Sequence, residues 1–275
     1  MELERKTCTF SYVDVCPSEL FHNTDSTHLA FVLTNFIHIE KPALNQIRQF
    51  KDTRGLDRRS KTMDYLINQI ERNQILFMSI GYLTHKSVAF DNGKNFLLHH
   101  KLITEYTDNN VRVRINDFET SVGQLISLTW YSVMLSAFAK EVGTFIKFEK
   151  KGQGMIFLDL LPGDNQDDKR TKLEVMKYLT GHSELKSFFD EAVRDNGIER
   201  IGYGYGMKNN STKDLKNDFE FVITDWIAQS LYCLNSKGLT KNEDEEKRNF
   251  ELSKLANYLT KKGYLKVIPP VSLTF

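Results

Sequence analysis

Paired cysteines are missing from this chain. Its three, Cys8, Cys16 and Cys233, include no C-x-x-C, and its seven histidines stand at no zinc-finger spacing from them, which argues against a structural zinc site. Long apolar runs are missing too, so no membrane-spanning segment is expected. The opening Glu2-Leu-Glu-Arg-Lys6 is too charged to begin a signal peptide, and the expected location is cytoplasmic. Neither sign of charge prevails: 37 basic and 36 acidic residues leave a net +1. That balance excludes a uniformly basic nucleic-acid-binding surface but not a local patch. No G-x-S-x-G elbow supports a Ser-His-Asp hydrolase. Gly202-Tyr-Gly-Tyr-Gly206 has neither Rossmann nor Walker spacing, and it reads as a turn. There is no internal repeat and no low-complexity stretch beyond the acidic run Glu243-Asp-Glu-Glu246.

What is present is the composition of a folded globular protein. The 275 residues are 40% hydrophobic and 27% charged, enough to bury a core without staples. β-Branched and aromatic residues from Lys6 to Asp14 predict a strand ending at Asp14, and His28 to Ile39 predicts a second, closed by Pro42. The two are placed to form a hairpin. Apolar spacing between Ala43 and Glu71 predicts two helices broken near Gly55, and Ile75–Leu83 predicts a third strand. Thr84 to Asn95, with Asp91-Asn-Gly93, reads as a loop. Val111–Ile115 alternates like a short strand. Asp117–Glu141 predicts a long helix capped by Asp117 or Thr120.

Met155–Leu161, apolar apart from one carboxylate, predicts a strand buried on both faces. Helices are expected over Asp168–Asp195, Asp218–Asn235 and Asn242–Lys262, and a strand over Ile198–Tyr205. Early antiparallel strands followed by crossovers favour an α/β fold, a mixed central sheet with helices on both faces. No segment has the composition of a linker, so residues 1–275 are read as one domain with a helical C-terminal extension from about residue 240.

Three aspartates stand where carboxylates are expensive. Asp14 ends the first strand, Asp159 lies inside Ile156-Phe-Leu-Asp-Leu-Leu161, and Asp225 lies inside Phe221-Val-Ile-Thr-Asp-Trp-Ile-Ala228. Each is expected in or beside the core, where an ionised carboxylate must be paired, hydrogen-bonded or bound to a cation. Clustered carboxylates supply the hard oxygen ligands of magnesium or manganese, and two such ions hydrolyse phosphodiesters. Each aspartate also has a purely structural account: Asp14 as a turn residue before Pro17, Asp159 as an acceptor at a strand end, Asp225 paired with a lysine or tyrosine.

Tyr12-Val-Asp14, Ile47-Arg-Gln-Phe-Lys51, Arg58-Arg59, Met63-Asp-Tyr-Leu-Ile67, the strand carrying Asp159, and Thr224-Asp-Trp-Ile-Ala228 together resemble a prokaryotic domain-of-unknown-function family. Its members open with Tyr-x-Asp-Glu-Ser-Gly and close with Ala-Asp-x-x-Ala. The resemblance spans about Thr7 to Ser236. It implies a ribonuclease-H-like fold and a divalent-metal-dependent nuclease, in phage-defence or mobile-element settings, with Asp14, Asp159 and Asp225 as metal ligands. The chain departs from the pattern at Val15-Cys16-Pro17, where the second acidic position is lost, and at Thr224 in place of alanine. Glu19 is the candidate replacement. The same departure motivates an alternative, a catalytically inactive scaffold that binds nucleic acid or a partner protein.

Arg48, Lys51, Arg54, Arg58, Arg59 and Lys61 concentrate cations in one helical region. Such a cluster can track phosphates or form a solvated face. Lys51 and Arg58, both within the resemblance, and Lys208 in the glycine-rich segment are the candidate phosphate contacts. His99-His100 has no acidic partner at ligand spacing and reads as surface or partly buried. Trp130, Tyr131 and Trp226 read as core.

Overall fold

A computed structural model describes residues 9–16, 28–40, 56–105, 108–115, 118–130, 153–158, 200–205, 219–235 and 242–268. In chain order the elements are β1 (Thr9–Cys16), β2 (His28–Ile39), α1 (Leu56–Glu71), β3 (Ile75–His85), α2 (Lys86–His99), β4 (Arg112–Ile115), β5 (Phe118–Ser121), β6 (Gln153–Leu158), β7 (Arg200–Tyr205), α3 (Phe219–Asn235), α4 (Glu243–Lys262) and β8 (Leu265–Ile268). Residues 122–130 are also helical.

β2 is the hub of the sheet. Every residue from Leu29 to Asn35 is buried, as expected of a strand covered on both faces and flanked on both edges. It pairs antiparallel with β1, placing Asp14 opposite Val32, and antiparallel with β3, placing His28 opposite His85, with a bulge between Phe36 and His38. β6 runs parallel to β1 and β7 parallel to β6, while β8 adds a parallel edge beside β3. The result is a mixed six-stranded sheet in the order β7-β6-β1-β2-β3-β8, with β4 and β5 forming a separate two-stranded ribbon.

Side-chain alternation then assigns the two faces. Ala30, Val32, Ile75 and Phe77 point into one cluster with Met63 and Leu66 of α1, Ile223, Ile227 and Leu231 of α3, and Leu252, Leu255 and Leu259 of α4. On the opposite face Phe31 meets Trp130 edge-on, ring centroids 5.7 Å apart, and α2 lies against β3. The fold is therefore mixed α/β, with helices on both faces of a mixed sheet.

Two polar contacts lock the first helical layer. Ser230 of α3 donates its hydroxyl to the Leu252 carbonyl (2.6 Å) and accepts from the Ala256 amide (2.8 Å), sitting between the two ends of one helical turn of α4. Lys254 of α4 reaches Asp64 (2.6 Å) and Ser60 (2.7 Å) of α1. The C-terminal helix, expected as an extension, thus supplies core residues, and the chain then returns to the sheet through β8. Its ends are locally specified. Asn242 accepts from the Glu245 amide (2.8 Å), four acidic residues fill the first turn, and Gly263 closes the helix at φ 77°.

Several sequence expectations change. β1 continues two residues beyond Asp14, to Cys16, because both of those residues stay paired with β2. The expected loop at 84–95 is the end of β3 followed directly by helix α2: Gly93 is not a turn residue but a buried one, pressed against the backbone of residue 126. The long helix expected from Asp117 begins only at residue 122, after β5, and its first turn is held by Ser121, whose hydroxyl accepts from the Gln124 amide (3.2 Å). β8 had no counterpart in the sequence reading. The strand expected over Ile198–Tyr205 is present as β7 (Arg200–Tyr205), which takes in Gly202 to Tyr205 of the glycine-rich segment also read as a turn. The helix expected at 168–195 lies outside the described residues.

Candidate functional site

Asp14 is placed by the middle of the sheet. β1 is flanked by β2 and β6, and its alternation turns Asp14 to the side of Val32, the side covered by α3. The carboxylate is 7% exposed, as the sequence led us to expect, and its Oδ1 accepts the amide of Val15 at 2.7 Å. That bond offsets part of the cost of burial. The last paired residues of β1 and β6 are Val13 and Leu158, and each is followed in sequence by an aspartate, Asp14 and Asp159.

Asp225 differs from its expectation. It lies in α3, which packs over β1 and β2, but it is exposed while its neighbours Thr224 and Trp226 are buried. The helical period explains this, since Ile223, Thr224, Trp226 and Ile227 take the inward arc and leave position 225 outside. An apolar string read one residue at a time suggested burial; the helix turns that one position to solvent. Thr224 satisfies its own hydroxyl by donating to the Glu220 carbonyl at 2.7 Å.

Asp14 and Asp225 thus belong to the same side of the sheet. Arg58 falls in the first turn of α1 on that side as well. Asp159, Glu19, Lys51 and Lys208 lie outside the described residues. Among the described residues no group of three histidine, cysteine or carboxylate side chains converges. Asp14 is a carboxylate of the hard-oxygen kind a divalent cation takes, whereas Asp225 faces solvent from the outer arc of the helix and is not brought to it.

His99 is exposed at the end of α2 and His100 is half-buried, its ring 4.3 Å from that of Phe96. Trp130 and Trp226 are core residues. The sequence reading missed a different histidine pair, His28 and His85, which open β2 and close β3. Their rings stand edge to face with centroids 4.6 Å apart, and His85 Nδ1 lies 3.1 Å from the Ser87 hydroxyl. Burial, and then the neighbouring His85, holds the His28 imidazole below its ordinary pKa. These residues are 57 positions apart, so only the β2/β3 register could have revealed the pair.

No protein-family model matches this chain, and no curated protein matches it. No described helix is long and apolar enough to cross a membrane.

Proposed function

We propose that this protein is a ribonuclease-H-like phosphodiesterase that uses magnesium or manganese to cleave nucleic acid, with Asp14 as its central carboxylate. One observation carries the reading. Three antiparallel strands are followed by two strands parallel to the first, in the order β7-β6-β1-β2-β3, and a buried aspartate stands on the central β1. That order and that position support the reading. The end of β6 beside β1 supports Asp159 as the second ligand, because Val13 pairs with Leu158 immediately before both aspartates.

The reading also assigns Asp225 as a third carboxylate, although it stands on the outer arc of α3, turned to solvent and away from β1. A bound divalent ion would polarise the phosphodiester and generate hydroxide from water. The chain's own contribution is to hold the carboxylates rigidly: Asp14 through its strand pairing and the Val15 amide, Asp225 through the buried residues beside it. Arg58 and Lys51 are assigned to phosphate neutralisation, with Lys208 as a further contact and Glu19 replacing the missing acidic position.

Incubation with single- and double-stranded DNA and RNA in manganese tests the reading. Cleavage is expected, with loss in EDTA and at least a hundredfold loss in Asp14→Asn and Asp159→Ala, the order expected for removing a ligand or its support. Cleavage that survives Asp159→Ala overturns it. The replacement of the family's Glu-Ser-Gly by Val15-Cys16-Pro17 favours a second reading, a non-catalytic scaffold. Its signature is salt-sensitive nucleic-acid binding, or capture of a partner protein, without cleavage in any metal.

A further inference from the structure

The ends of β2, β3, β8 and α3 surround an open cleft of about 590 Å³, lined by His28, Leu83, Thr84, His85, Val88, Asn235, Val267 and Ile268. It lies on the edge of the sheet where β1, β6 and β7 end, because β2 runs antiparallel to β1 and starts there. In open α/β sheets the crevice beyond the carboxyl ends of the strands is the usual place for a ligand. His28 lies four positions from Val32, the partner of Asp14, so the cleft stands roughly 15 Å from Asp14 by ordinary strand rise and spacing.

The lining has a definite chemistry. Its walls are aliphatic, and the described residues that line it supply two imidazoles, one hydroxyl and one carboxamide and no Asp, Glu, Lys or Arg. The imidazole of His28 is disfavoured from carrying charge. No described lining residue neutralises a phosphate. An uncharged flat ring suits it better: aliphatic side chains and an imidazole face cover a π surface, and Asn235 offers a donor and an acceptor to a ring edge. Val88 and Val267 are 42% and 38% exposed, so apolar surface at this mouth faces water unless something covers it.

We propose that this cleft receives a nucleobase, an unpaired heteroaromatic ring from a nucleotide a few positions along the strand from the phosphate held at Asp14. The inference rests on the nucleic-acid reading above and adds a base subsite to it. Stacking on aromatic and apolar side chains tolerates any base, and the carboxamide supplies a modest preference.

Titrating the full chain with adenosine and with cytidine, which carry no phosphate, tests it through the imidazole proton resonances of His28 and His85. Saturable shifts of both are expected, abolished by Val88→Trp, which fills the mouth from an exposed position, and unchanged by Asp14→Asn. Val267→Trp serves as the second blocking variant if the first does not fold. Absence of saturable shifts, or shifts that persist in both blocked variants, overturns the inference. For a cleaved single-stranded oligonucleotide, blocking is expected to raise KM roughly tenfold, the loss of one stacked base. An unchanged KM overturns the base subsite while leaving the phosphodiesterase reading intact. Nucleoside binding without cleavage in any metal does the reverse.

Discussion

Replacing Gly93 by alanine tests the packing of α2 against the helical segment 122–130. In an ordinary helix the change stabilises by about 1 kcal/mol, because alanine loses less backbone entropy than glycine. Here the added Cβ would stand 2.4 Å from the Ile126 carbonyl oxygen and 3.2 Å from its Cγ2. A methyl group and an oxygen need about 1 Å more than that first distance to be in ordinary van der Waals contact. The obstructing atom is backbone, so no rotamer change relieves it. The two segments must separate, against close packing by Phe96, Leu97, Leu125 and Trp130, each 0–2% exposed. Overpacking of this kind costs about 1–3 kcal/mol.

The clash therefore outweighs the propensity gain, with a net loss of about 1 kcal/mol and a fall in Tm of about 2–4 °C. Urea unfolding should show a lower midpoint at unchanged slope. Gly123→Ala is the control. Its Cβ would find the Asn109 oxygen at 3.4 Å, an ordinary contact, so stability should hold or rise. A Gly93→Ala protein as stable as the parent would refute the close approach.

Two further outcomes follow from single contacts. Ser230→Ala should cost only about 0.5–1.5 kcal/mol in urea unfolding, because the Leu252 carbonyl and Ala256 amide it bridges are spaced to bond each other once the hydroxyl is gone. A loss above about 3 kcal/mol would show that α4 cannot close that turn. His28 makes stability pH-dependent. Its folded pKa lies below the ordinary imidazole value of about 6.5, so on acidification the unfolded chain takes up the proton first. Stability should fall as pH drops below that value and level off under the folded pKa, with no contribution above it. His28→Gln should fall less between pH 7.5 and pH 5, and parallel curves for the two proteins would exclude the imidazole as the source.

Legibility in the sequence followed the range of the interaction. The strand from His28 to Ile39 matches its expectation at both ends, since the apolar run and its breakers are local. The last long helix was legible for the same reason, its cap and charged ends lying within a turn of the residues they serve. α2 was not. Its glycine sits in a polar Asp-Asn-Gly run whose turn chemistry is strong, and the contact that makes the glycine useful comes from residue 126. β8 has four residues, too few for a period, and exists as a strand because β3 offers it an edge.

The aspartates divide in the same way. Composition and motif singled out Asp14 and Asp225 and put both in or beside the core, because short-range sequence records which residues are carboxylates and which neighbours are apolar. Only the tertiary structure decided that Asp14 is buried on the central strand while Asp225 faces water from the helix above. It alone brought His28 to His85. Burial and pairing depend on register, helical phase and the face a neighbour covers, and each is settled by residues far away in the chain.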